Sequence, residues 1–105
     1  MRLLLVTALA AGALVYAAPV HASTESRAIC ATFRSYCSQA LAVARCESGL
    51  SIWARNGQYL GLFQVSARWR ATVPGWGMNA WAQARHAYKV FKLTGSDWSP
   101  WTCRP

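Results

Sequence analysis

The chain has 105 residues, with 11 Lys and Arg, three Asp and Glu, four Cys and a formal net charge of +8 at pH 7. This length suits one small domain and excludes a second domain of ordinary size. There is no C-x-x-C pair, and both histidines are far from any cysteine in the sequence, so a structural zinc site is not expected. The excess of positive charge predicts attraction to something anionic.

The first 22 residues have the pattern of an export signal. Arg2 precedes an apolar stretch over residues 3–18, and V-H-A at 20–22 is a small-x-small cleavage site. The apolar stretch has 16 residues, fewer than the roughly 20 of a membrane-spanning helix, although an uncleaved anchor is the alternative. We therefore predict cleavage after Ala22, a secreted or wall-associated domain in 23–105, and no stable membrane association afterwards.

All four cysteines follow that segment. An even number of cysteines in a small exported chain predicts two disulfides, and the sequence leaves three pairings open. Cys30 and Cys37 are seven residues apart, which in an unbroken helix would separate their Cα atoms by roughly 10 Å, beyond the limit of about 7 Å for a disulfide. A bond between these two would therefore require the backbone to turn between them.

Two helices are predicted at the start of this domain. The first begins at Ser23 or Thr24 and buries Ile29 and Phe33, which lie one turn apart. The second covers QALAVARCES and has Ser38 as its predicted N-cap.

Glu47 falls in the last turn of the second helix, just before Gly49, a typical left-handed stop. A carboxylate there opposes the helix dipole at a cost of some tenths of a kcal/mol. A carboxylic acid in such a place, beside Cys46, has the chemistry of a general acid that protonates the leaving oxygen of a glycosidic bond. The alternative is a helix-end glutamate paired with Arg45 or Arg55.

The second half of the domain begins with a tight-turn signal, Asn56-Gly57, which predicts a short hairpin or irregular loop. Ser66 is the predicted N-cap of a short helix, ARWRAT. Asn79 is the predicted N-cap of a longer helix, AWAQARHAYKVFKL, which ends at Gly95 and is followed by an extended tail. The predicted fold is therefore mainly α and disulfide-stabilised. The predicted apolar stripe of the longer helix comprises Trp81, Ala84, Tyr88 and Phe91.

Three short motifs follow one another along the chain: CESG at 46–49, GLFQV at 61–65 and WSPWTC at 98–103. Together they resemble small secreted transglycosylase-like domains of actinobacteria, which are relatives of the resuscitation-promoting factors in the lysozyme-like superfamily. The resemblance covers roughly residues 38–105. It implies a small lysozyme-like domain over that range, preceded by an N-terminal segment at 23–37.

The resemblance also implies residue roles. Glu47 matches the catalytic acid of enzymes that cut the β-1,4 bond between N-acetylmuramic acid and N-acetylglucosamine in peptidoglycan. Such domains bond the cysteine beside the glutamate to the terminal one, which implies Cys46 with Cys103 and leaves Cys30 for Cys37. The substrate-binding residues that the resemblance implies are Tyr59, Gly61, Leu62, Phe63 and Gln64.

A second catalytic carboxylate is hard to find in the sequence. Glu25 lies near the predicted N-terminus of the mature chain, and Asp97 has the pattern of a turn residue that bonds its own backbone. With one acid, the substrate's N-acetyl group or C6 hydroxyl has to be the nucleophile. This favours a lytic transglycosylase over a muramidase.

Aromatic residues supply further candidates. Trp53 and Trp76, in loops near the motif segments, are predicted to touch the substrate, since aromatic faces stack on sugar rings as they do on each other. Tyr88 is the nearest match to the Ala-Tyr-Asn motif of larger lytic transglycosylases. Its position in the apolar stripe predicts packing instead.

The predicted partners are peptidoglycan glycan strands and other wall hydrolases. Export and disulfides argue against nucleic acid, and no metal or organic cofactor is implied. The alternative function is a non-catalytic cationic protein that binds the cell wall or kills bacteria, in which the cleft only holds glycan or the charge disrupts membranes.

Overall fold

A computed structural model describes residues 23–105, so the predicted export signal at 1–22, with its alternative role as an anchor, lies outside the described residues. The described part is mainly helical with one short hairpin, as predicted, whereas the lysozyme-like fold stays a prediction. Within this part, no helix is both long and apolar enough to cross a membrane. In chain order the elements are α1 (Thr24–Phe33), a 3₁₀ helix (Arg34–Tyr36), α2 (Cys37–Ser48), β1 (Arg55–Asn56), β2 (Tyr59–Leu60), α3 (Ala67–Thr72) and α4 (Ala80–Leu93).

Helix α1 begins as its sequence predicts. The Ser23 hydroxyl accepts a hydrogen bond of 3.0 Å from the Ser26 backbone N–H, which satisfies a donor that the first turn leaves free. Ile29 and Phe33 are 0% and 1% exposed, as expected.

The chain turns between Cys30 and Cys37, as a bond between them requires. Helix α1 ends at Phe33, and the 3₁₀ helix begins at Arg34, whose φ is positive at 53°. This break brings the two Cα atoms to 4.5 Å, and a disulfide joins them. The bond therefore ties the end of α1 to the start of α2.

The prediction of Ser38 as the N-cap of α2 is wrong. The helix begins at Cys37 after Tyr36, which makes no side-chain capping bond. The 3₁₀ helix leads directly into α2, so the Cys37 N–H already bonds the Arg34 carbonyl. Gly49 does end the helix as predicted, with a left-handed φ of 64°.

Residues 23–37 share one core with the rest of the described chain, because α1 packs against both α2 and α4. Phe33 lies at the centre of an aromatic cluster, with ring centroids 5.2 to 5.7 Å away. The N-terminal segment is therefore part of the domain rather than an addition to it. The rings in contact with Phe33 are those of Phe63, Tyr88, Phe91 and Trp98.

The hairpin forms where the turn signal predicted it, although its turn is one residue later. Asn56 pairs with Tyr59, so Gly57 and Gln58 form the turn. The chain then folds back again, because the Val65 N–H donates to the Leu60 carbonyl at 3.0 Å. Residues 61–64 thus form a tight loop between β2 and Val65.

Helices α3 and α4 begin at their predicted caps. The Ser66 hydroxyl accepts from the Trp69 N–H at 3.3 Å, and the Asn79 side-chain oxygen accepts from the Ala82 N–H at 2.8 Å. The predicted apolar stripe of α4 is wrong at Trp81, which is 41% exposed. It lies outside the face turned to the core, which carries Ala80, Gln83, Ala84, Ala87, Val90 and Phe91.

His86 is a polar residue buried on α4, with no exposed surface. Its Nε2 lies 2.9 Å from the Val73 carbonyl oxygen and 3.2 Å from that of Trp69, so His86 links α4 to the end of α3. Burial lowers the pKa of His86, since a charged imidazolium loses its hydration in the core, and the bonds to the two carbonyls only partly oppose this.

Stability is therefore expected to fall in mild acid. In the unfolded chain His86 takes up a proton below about pH 6.5, whereas in the folded state its lowered pKa delays uptake. The contribution of His86 to the free energy of unfolding is therefore fully present above that pH. Below it the free energy of unfolding decreases, by at most about 1.4 kcal/mol per pH unit for one proton. Urea unfolding between pH 7.5 and 5.5 measures the slope. If the free energy of unfolding of a His86→Gln variant falls equally steeply with decreasing pH, another group causes the effect.

Candidate active site

Glu47, at the end of α2, is held by the C-terminal tail. The Cys103 backbone N–H donates a hydrogen bond of 3.0 Å to Oε2 of Glu47. The Cys46–Cys103 disulfide, with Cα atoms 6.0 Å apart, ties the tail beside the glutamate. The structure thus gives Glu47 a backbone partner in place of the ion pair with Arg45 or Arg55 that was the alternative. The hydrogen bond uses Oε2, and Oε1 takes no part in it.

A cleft of about 180 Å³ opens beside Glu47. A second depression of about 120 Å³ shares the Tyr59 and Gln64 wall and reaches Trp69 on α3. The two share a wall, and Glu47 lines the first of them but not the second. Besides Glu47, the first is lined by Asn56, Tyr59, Gln64, Pro100, Trp101 and Thr102.

Of the three acids in the sequence, only Glu47 lines this cleft. Glu25 lies in the first turn of α1. The side-chain oxygen of Asp97 accepts a hydrogen bond of 2.7 Å from the Ser99 N–H, which is the local turn that its sequence pattern predicts. The cleft therefore has no second carboxylate.

Of the GLFQV segment, the structure brings only Gln64 to the cleft, together with the preceding Tyr59. Leu62 and Phe63 are 0% and 1% exposed and belong to the hydrophobic core. Gly61 is buried beneath α4. This corrects the expectation that the whole segment lines the sugar cleft, because a four-residue loop that seals the core must turn most of its side chains inward.

Gln64 is held in a left-handed conformation with a φ of 47°. Its amide nitrogen donates hydrogen bonds of 3.1 Å to the backbone carbonyls of Ala54 and Gly61. Both amide protons are thus used to fix the loop. The amide oxygen is the atom of this side chain that remains to accept a hydrogen bond from a ligand.

Neither Trp53 nor Trp76 lines the Glu47 cleft or the adjoining depression. Trp53 is 71% exposed, and the indole ring of Trp76 lies under the guanidinium of Arg70, 5.4 Å from its centroid. The tryptophan at the cleft is Trp101, which is 5% exposed. The prediction that Trp53 and Trp76 touch the substrate therefore gains no support from this cleft. Tyr88 is half-buried and packs edge-on against Phe33, as its place in the apolar stripe predicted.

Three side chains that sequence reasoning did not assign to the site hold the loop at 61–64. The Ser48 hydroxyl donates to the Leu62 carbonyl at 2.8 Å. The Gln83 side-chain oxygen accepts from the Leu62 N–H at 2.8 Å, and the Trp101 indole N–H donates to the Phe63 carbonyl at 2.9 Å. One of the three could have been found from the sequence, because Gln83 is a polar residue within the apolar face of α4. Buried polar groups need such partners.

Gly61→Ala is expected to destabilise the protein strongly. An added Cβ would lie 2.3 Å from the Gln83 side-chain oxygen, and the φ of +79° strains any L residue. We expect a loss of at least about 3 kcal/mol, from left-handed strain together with overpacking. The control is Gly57→Ala, with a φ of +62° and nothing within 4 Å, which should lose only about 1 kcal/mol. Urea unfolding gives both values, and equal losses would contradict a role for the Gln83 contact.

Comparison of the chain with known protein families, with curated proteins and with solved structures gave no match. The roles of the site residues are therefore inferred from the geometry and from the sequence motifs. Within residues 23–105, no group of three His, Cys, Asp or Glu side chains is placed to hold a metal ion.

Proposed function

We propose that this protein cleaves the β-1,4 bond between N-acetylmuramic acid and N-acetylglucosamine in peptidoglycan, as a lytic transglycosylase. The observation that carries the proposal is that Glu47 is the only carboxylate on a cleft that it shares with Tyr59 and Gln64. A carboxyl group can donate a proton to a glycosidic oxygen, an aromatic ring can stack on a sugar, and an amide oxygen can accept from an acetamido N–H.

Glu47 acts through Oε1. The neutral carboxyl carries its proton on that oxygen, while Oε2 keeps the hydrogen bond from Cys103. Transfer of the proton to the glycosidic oxygen lets the C1–O bond break, and positive charge develops on the muramic acid ring. The Glu47 carboxylate then takes a proton from the C6 hydroxyl of that sugar, while the hydroxyl oxygen O6 attacks C1. The product is a 1,6-anhydro ring, and the acid is restored without consuming water.

The lack of a second carboxylate favours this route over hydrolysis. Glycosidases that use two carboxylates place them about 5–5.5 Å or about 6.5–9.5 Å apart across the sugar. Asp97 and Glu25 do not line the cleft. The nucleophile is thus assigned to the substrate itself, through C6–OH.

Charge and disulfides support a site of action outside the cytoplasm. Two disulfides in a small domain are typical of exported proteins. The positive surface would hold the enzyme on an anionic cell wall. Secretion to the wall, glycan strands as substrate, and cooperation with other wall hydrolases are parts of this proposal.

Mass spectrometry of fragments released from purified peptidoglycan tests the reaction. Protein expressed from the full chain, with its disulfides oxidised, should release glycan fragments that end in 1,6-anhydro-muramic acid. Fragments with reducing ends would show a muramidase, and Asp97 would then be the candidate for the second carboxylate. Wall binding without any released fragment would support the non-catalytic alternative.

A further inference from the structure

Another cavity in residues 23–105 is larger than the Glu47 cleft. It is an open groove of about 540 Å³, which lies between residues 72–74 at the end of α3 and residues 88–93 at the end of α4. It has no lining residue in common with the cleft. Its volume lies within the range of about 300–1,000 Å³ that is usual for sites of small molecules.

The groove has an apolar floor. Val73, Pro74 and the ring of Tyr88 line it, and Leu93 at its end is 68% exposed. An exposed leucine beside a concave apolar surface leaves hydrophobic area in contact with water. A ligand with an alkyl chain would bury that area, which is favourable because apolar surface leaves water.

The only charged groups on the groove are two lysines. Lys89 and Lys92 lie one turn apart on α4, and none of the three acids of the sequence lines the groove. The Lys89 ammonium donates a hydrogen bond of 3.1 Å to the Pro74 carbonyl, which holds it at the rim. An ammonium has three donors, so that bond leaves two for an anionic ligand.

We propose that this groove binds a single-chain amphiphilic carboxylate, a monomer with an alkyl body and one carboxylate head. The head lies between Lys89 and Lys92, where its charge is complementary to theirs. The alkyl chain lies along Val73 and Pro74 toward Leu93. This site is independent of the glycosidase proposal, because it uses no residue of the Glu47 cleft.

Decanoate, below its micelle concentration, is the probe. Titration followed by protein NMR should give saturable 1:1 binding, with shifts at residues 72–74 and 88–93. Decyltrimethylammonium has the same chain and the opposite charge, and it should bind at least about tenfold more weakly because charge-assisted bonds to the head are lost. Equal affinity for the two probes, or shifts spread over the whole surface, would overturn the proposal.

Matched variants separate this site from general attraction between charges. Lys89→Gln/Lys92→Gln should weaken decanoate binding about tenfold or more, whereas Arg45→Gln/Arg55→Gln removes the same charge elsewhere and should have little effect. Equal weakening by both pairs would contradict a specific site. Glu47→Gln should bind decanoate like the unchanged protein. Binding to phosphatidylglycerol vesicles but not to decanoate would show a membrane surface contact and overturn the monomer site.

Discussion

Replacing Glu47 with Gln is expected to lower the rate of peptidoglycan cleavage by about 10²- to 10⁴-fold, the usual contribution of a general acid. Glutamine keeps the size of the side chain, and its amide oxygen can still accept the bond from the Cys103 N–H. It has no acidic proton to give to the glycosidic oxygen. The rate of release of soluble glycan fragments from purified wall measures the effect.

The matched control is Glu25→Gln, which changes the net charge equally at the first turn of α1. It should cleave at the unchanged rate. Both variants should sediment with insoluble wall as the parent protein does, since neither loses a positive charge. A Glu47→Gln variant that cleaves as fast as Glu25→Gln would contradict the general-acid role.

Removing the disulfide beside the site, with Cys46→Ala/Cys103→Ala, is the second large expected effect. The bond closes a segment of 57 residues, and the chain-entropy model gives about 4 kcal/mol for a loop of that length. A core this small has little stability to spare. The end of the tail would also lose its covalent tie to α2, so the Cys103 N–H would orient Glu47 less firmly. Urea unfolding should show a large loss of stability, and cleavage should slow even where the variant is still folded.

The control pair is Cys30→Ala/Cys37→Ala. Its separation is only seven residues, for which the same model gives about 2 kcal/mol. This pair is in α1 and α2, away from the cleft, so the loss of activity should follow the unfolded fraction alone. A greater loss of stability in this variant than in Cys46→Ala/Cys103→Ala would contradict the proposed role of the tail.

Local features of the fold were predictable from the sequence where one residue decides them. Ser23, Ser66 and Asn79 cap helices as expected, because each side-chain oxygen accepts a hydrogen bond from an N–H that the first turn leaves free. Gly49 ends α2 for a similar local reason. Ser38 failed as a cap, since the preceding 3₁₀ helix had already supplied the bonds that a cap would make.

The cleft was harder to predict, because it depends on contacts between distant segments. Tyr59 and Gln64 reach Glu47 only through the loop that returns the chain to Val65. Helical spacing alone did not show that Gln83 turns to the core and Trp81 away from it. The motifs drew attention to Glu47 and Gln64, whereas the hydrogen bonds that fix the glutamate and the loop at 61–64 come from residues on α2, α4 and the tail.

The most direct test of the central claim, that the Glu47 cleft binds the glycan to be cut, is NMR of the inactive Glu47→Gln variant with a soluble peptidoglycan tetrasaccharide. We predict saturable shifts centred on Tyr59, Gln64 and Trp101, with little change at residues 72–74. Saturable binding centred elsewhere, or no binding at concentrations that support cleavage by the parent protein, would contradict it.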